Sequence, residues 1–155
     1  MDKAWVIKNK ESRERLIKLV KDISDTELKL VIYKEGWTIA AALAHIAFWD
    51  YRRLVLMQKW KPKKDKVPLG ALELDVYHTI NDSILPFLLE IPPRKAAKLA
   101  VLAAETLDRK LEKAPPSLIA AIEATGYELG LNRSAHRKIH MDEIDALLKS
   151  RRISK

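Results

Sequence analysis

The 155-residue chain predicts an all-α protein, a four-helix bundle with one or two short accessory helices, in one domain over residues 1–155. Three observations carry this reading. Apolar residues recur at the 3–4 spacing of a buried helical stripe. Only four glycines are present, whereas Ala, Leu, Lys and Glu, all good helix formers, abound. No alternating strand pattern runs longer than four residues.

In chain order, a first helix is expected from about Asn9 to Ile23, with Leu16, Ile17, Val20 and Ile23 as its stripe. Ser24-Asp25 then caps a short segment from Asp25 to Tyr33, which Gly36 ends. Thr38 is placed as the N-cap of a second long helix, Ile39 to Trp60, apolar around much of its circumference and therefore deep in the bundle. Pro62 to Gly70 is the clearest linker. Ala71 to about Leu85 is helical, with Val76, Ile80 and Phe87 on its apolar side, and Pro86 and Pro92-Pro93 break or kink the chain beyond it. Pro93 suits the first turn of a helix running from Arg94 to about Lys113, ended by Pro115-Pro116. Ser117 to Thr125 is a short helix stopped by Gly126, and Arg133 to about Arg151 is the last long one.

That last helix holds the most informative pair in the chain. At about 100° per residue, Ile139, Ile144, Leu147 and Leu148 group on one side, and His136 and His140 fall inside the same stripe. Residues i and i+4 stand one above the other. Two imidazoles buried side by side need something to satisfy them, and a divalent ion does so, since neutral imidazole is its commonest ligand. A zinc-protease motif is disfavoured, because Arg137 stands where that motif needs Glu. His45 is a third polar residue on an apolar face, shared with Ala41, Phe48, Trp49, Leu56 and Trp60. Three inward histidines suffice for a three-ligand metal site with an open position.

The element Trp37-Thr-Ile-Ala-Ala-Ala-Leu-Ala-His45-Ile-Ala-Phe-Trp49, joined late in the chain by His136-x3-His140-x3-Ile144, resembles the DinB-like proteins. An Asp75-x5-Asn81 segment is similar to that family's middle region. The resemblance covers nearly the whole chain. It implies a four-helix bundle whose metal is held by three histidines at these two places, hence His45, His136 and His140. It further implies a thiol-dependent transferase or isomerase activity found in several branches, with no particular substrate carried over.

Around the expected site, Arg52 lies two turns beyond His45, about 10 Å along the axis, where it can anchor a substrate carboxylate or the acidic tail of a thiol cofactor. Trp49 and Trp60, with Phe48, can wall an apolar pocket; Trp37 is expected to pack at the bundle's end. Glu143, seven residues after His136 and three after His140, is read as a general base, an orienting partner or a fourth ligand. His78 points away from its helix's apolar side and is left out.

Composition bounds the rest. There are no cysteines, hence no disulfides, no thiolate ligands and no cysteine nucleophile. Hydrophobic residues at 48% and charged residues at 32% suit a soluble globular protein. The N-terminus lacks a signal-peptide apolar core, and no apolar run approaches the roughly 20 residues of a membrane span, so a cytoplasmic location is expected. A net charge of +8 invites a nucleic-acid reading. However, its densest stretches, Lys59–Lys66 and Lys149–Lys155, read as a linker and a terminus, and no recognition motif accompanies them. Specific nucleic-acid binding is therefore not expected.

The function expected is a metal-dependent thiol S-transferase or hydrolase acting on a small electrophilic substrate. Its cofactors would be a divalent metal (Zn, Ni or Fe) and a low-molecular-weight thiol; a homodimer is compatible with the sequence. The alternative is a non-catalytic bundle that binds a small molecule or protein around a structural or vestigial metal site.

Overall fold

A computed structural model describes residues 4–62 and 69–153. Among them are six α-helices: α1 (Ala4–Asp22), α2 (Ile39–Lys59), α3 (Leu74–Leu89), α4 (Pro93–Glu112), α5 (Pro116–Glu123) and α6 (Ser134–Ile153). Two 3-10 turns, Glu27–Lys29 and Glu128–Gly130, complete the order, and no strand is present among the described residues. The linker expected at Pro62–Gly70 lies for the most part, residues 63–68, outside the described residues, as do the last two residues of the basic tail. The part of that tail that is described, up to Ile153, belongs to α6.

Helix α2 packs against α4, α6 and α3, while α1 packs against α4 and α6. The α2–α4 seam is built from small side chains, Ala40, Ala41 and Ala44 facing Ala96, Ala97, Ala100 and Ala104, all buried. Small residues at a contact bring helix axes to the short end of the usual 8–10 Å range. This seam, with Leu16, Ile39, Leu43, Met141 and Ile144, forms one apolar cluster. A second cluster, around Leu54, Met57, Leu107, Leu111 and Ile122, occupies the other end. Between them along α2 lie Asp50 and Arg53, and along α4 lies Asp108, all buried. A charged layer therefore divides the core.

Local chemistry sets the joints. Thr38 Oγ1 accepts the Ala41 N–H at 3.0 Å, so the expected N-cap of α2 is present. Ser24 and Glu27 form a reciprocal capping box: Ser24 Oγ accepts the Glu27 N–H, and the Glu27 carboxylate accepts the Ser24 N–H. Helix α5 is followed by Gly126 at φ +65°, a left-handed residue for which glycine is favoured.

Several expectations are corrected. Helix α1 begins at Ala4, five residues before Asn9. The segment Asp25–Tyr33 is one 3-10 turn leading into a reversal, closed by the antiparallel bridge Val31–Thr38 with Gly36 at φ +87°. Helix α3 runs through Pro86 to Leu89, because that face of α3 is exposed and the missing amide and crowded carbonyl stand in solvent. Val76 and Phe87 face outward, Phe87 being 75% exposed; the inward line is Tyr77, Asn81, Ile84 and Leu88. Tyr77 and Asn81 win those places because the Trp49 ring and its N–H on α2 offer them a stack and a hydrogen bond. Ile139 is also outward, at 56% exposure. Arg137, two residues away and so nearly opposite on the wheel, takes the inward place.

Candidate metal centre

His45 reaches the centre from the middle of α2, and His136 and His140 from the first two turns of α6. The start of α6 is fixed by α1: buried Asn9 accepts the Arg133 and Ser134 amides on its Oδ1 at 2.8 and 3.0 Å, and its Nδ2 donates to Leu131 O at 2.8 Å. This satisfies N-terminal donors that no residue of α6 itself caps. The three rings then converge, with centroids 4.8 to 5.3 Å apart. One ring nitrogen of each lies within 4.8 Å of the other two. His136 Nε2 and His45 Nε2 are 3.3 Å apart, about the edge of a tetrahedron whose metal–nitrogen bonds are roughly 2.0–2.1 Å.

The environment keeps these imidazoles neutral, as metal ligation requires. His45 is 3% exposed and His136 7%. Burial, helped by His140 and Arg133, pushes His45 down to about 3. Burial and then Arg133 hold His136 well below the usual imidazole value. His140 is lowered by burial, against the opposing pull of Glu143.

The second nitrogens of the three rings differ in their surroundings. Nδ1 of His140 lies 3.0 Å from Tyr33 Oη and 3.4 Å from Glu143 Oε2, while the Tyr33 hydroxyl donates to Glu143. With the tyrosine proton spent on the carboxylate, Tyr33 oxygen accepts from Nδ1–H of His140, and Nε2 of His140 presents its lone pair to the centre. Nδ1 of His136 is 3.4 Å from Arg133 Nη2, longer than an ordinary hydrogen bond. Nδ1 of His45 is buried without a hydrogen-bond partner among the described residues.

Behind the histidines lies the charged layer. Arg137, with no exposed surface, donates to both oxygens of Asp108 at 2.8 and 3.0 Å and to Asp50 Oδ2 at 2.9 Å. Arg133 donates to Asp50 Oδ1 at 2.9 Å, and Arg13 donates to Asp108 Oδ2 at 2.8 Å. Burial alone would lower the Arg137 value, but the two carboxylates outweigh it and raise it. Burial raises Asp108, with the arginines pulling the other way.

Of the residues expected at the site, the structure brings together His45, His136, His140 and Glu143, with Trp49 edge-on to His45 at 6.2 Å. Arg52 lies over the Trp49 ring at 5.4 Å. Trp60 packs on the second apolar cluster, apart from the histidines, because α2 ends there and its ring turns toward that cluster. Trp37, which directly precedes the N-cap of α2, packs on the first apolar cluster, and its ring also meets His45 edge-on at 5.4 Å. His78 is exposed, as expected.

Tyr33, Arg133, Arg137, Asp50 and Asp108 escaped sequence reasoning. The available signal was Asp108 standing among Ala104, Leu107 and Leu111, an acid inside an apolar stripe that demands a buried cation.

The sequence profile of the DinB superfamily matches residues 9–136, and the chain belongs to that superfamily. No curated protein and no solved structure matches the chain. The matched stretch includes His45 and His136 and stops four residues short of His140. No helix among the described residues is long and apolar enough to cross a membrane.

Proposed function

We propose that this chain is a metal-dependent enzyme built on a DinB-like four-helix bundle, with His45, His136 and His140 holding one divalent ion. It transfers a thiol, or alternatively water, onto a small electrophile. The observation that carries the reading is the convergence of three neutral imidazoles, one from α2 and two from α6, on one point. A structural site is usually closed by four protein ligands, whereas three leave a position open.

A divalent ion at that point supplies Lewis acidity, which makes a thiol or a water nucleophilic near neutral pH. The chain's own residues do the rest. Tyr33 and Glu143 hold His140 in one tautomer and orientation. Glu143, half exposed beyond Tyr33, accepts a proton on Oε1 and returns it to solvent. Trp37 and Trp49 wall the histidines and limit the water that reaches them. In the transfer, the S–H proton leaves for the carboxylate, a sulfur–carbon bond forms, and the carbon's leaving group departs with its electron pair.

The test is turnover of a chloro-nitroarene with cysteine as the thiol, monitored by aryl thioether formation. Metal-loaded wild type should accelerate the reaction and His136→Ala should not. Equal rates for the two would remove the enzymatic reading and favour a binding protein.

A further inference from the structure

A cavity of about 140 Å³, separated from the histidines by Trp49 and Arg133, is lined by Trp49, Tyr77, Tyr127, Arg52, Arg53 and Arg133. Arg53 is 3% exposed and Arg133 4%. Burying such groups is costly unless they are paired, and the acids at hand are already committed. Asp50 and Asp108 serve Arg13, Arg133 and Arg137, three cations against two carboxylates. Among the described residues no carboxylate acts on Arg52 or Arg53; Tyr127 is the one group that favours their charged forms. Arg53 donates Nη1 to Leu69 O at 2.7 Å and lies over Tyr127 at 5.5 Å. Arg133 spends Nε on Asp50 and Nη1 on Leu129 O at 2.9 Å. Burial and then Arg133 lower Arg53 to about 10, which leaves it charged at neutral pH. Three cations therefore share one small cavity with guanidinium donors to spare.

We infer that Arg52, Arg53 and Arg133 form an oxyanion subsite for the carboxylate or phosphate of a small ligand whose other end reaches the three histidines. Planar guanidinium forks match both oxyanions. Two residues join the cavity to the histidines: Arg133, whose Nη2 is 3.4 Å from His136, and Trp49, whose ring meets His45. The inference deepens the proposed function and rests on it only for what happens at the histidine end. The anion end stands on the cavity and its charge.

The test uses chelator-dialysed full-length protein, with inorganic phosphate and acetate as probes at ionic strength held constant by chloride. The readouts are the Trp49 indole N–H and the Arg52 Nε–H resonances. Wild type should show a saturable shift with at least one probe. Arg52→Gln should weaken that binding about tenfold, the equivalent of one charge-assisted contact; Arg52→Lys, which keeps the charge and loses the fork, should fall between. Arg52 is half-buried and makes no hydrogen bond among the described residues, so both variants should retain the wild-type spectrum elsewhere. No saturable shift, or equal affinity in Arg52→Gln, overturns the subsite. Binding seen only after metal loading, and indifferent to Arg52, also overturns it while sparing the metal centre. Saturable, Arg52-dependent binding by protein that takes up no metal upholds the subsite while the proposed function falls.

Discussion

Tyr33 Oη stands 3.0 Å from Nδ1 of His140 and donates its own hydrogen bond to Glu143, so a residue from a reversing loop sets the tautomer of a helix histidine. Burial, then the Glu143 carboxylate, raises the Tyr33 value above the usual phenol range. The hydroxyl therefore stays protonated throughout the neutral range and remains the donor to Glu143.

Tyr33→Phe should consequently weaken metal binding about 10–100-fold, the usual effect of losing an orienting partner, while leaving helical content unchanged. Competition against a chromophoric chelator measures it. An unchanged affinity would reduce the Tyr33–Glu143 pair to a surface contact.

Arg137 carries a second prediction. Replacing it with Ala strips Asp50 and Asp108 of a shared partner inside the core, and breaking a buried pair in this way costs about 3–5 kcal/mol. Urea unfolding gives the value. Asp108→Ala should cost a similar amount, and the double variant less than the sum, since the second change removes the charge that the first left stranded.

Acid provides a third. The unfolded histidines titrate near 6.5 and the folded ones lower, His45 at about 3. Between those values the unfolded chain binds more protons, so stability falls as pH drops below about 6.5. Each such histidine contributes at most about 1.4 kcal/mol per pH unit. Metal-free wild type should thus unfold at lower urea at pH 5 than at pH 7. His45→Ala should show a shallower dependence, and an identical slope would show that His45 is not held neutral by the fold.

Metal removal provides the fourth. The two apolar clusters are complete without the histidines, and apolar burial contributes about 25 cal/mol per Å². Chelator treatment should leave the helical circular dichroism intact at room temperature; its collapse would make the ion structural.

Legibility in the sequence divides along physical lines. His136 and His140 share a face by spacing alone, and Thr38, Gly36 and Gly126 act through their own backbone chemistry. Short-range rules suffice for both. Arg137 was not legible as a core residue, because its burial depends on Asp50 and Asp108, which belong to other helices and lie 87 and 29 residues away. The same network turns α6 so that Ile139 faces solvent. Tyr33 meets His140 only because the loop after the 3-10 turn folds back, across a separation of 107 residues. Apolar periodicity, which ranks Val76 and Phe87 above Tyr77 and Asn81, carries no information on the Trp49 ring that reverses the order.

The central claim is that His45, His136 and His140 jointly hold one divalent ion. Metal analysis of the purified protein, wild type beside the three single His→Ala variants, tests it most directly. The expected result is about one ion per chain in wild type after metal reconstitution, loss of that ion in each variant, and wild-type helical circular dichroism in all four. A wild type that retains no ion, or a His136→Ala variant that retains a full equivalent, would contradict it.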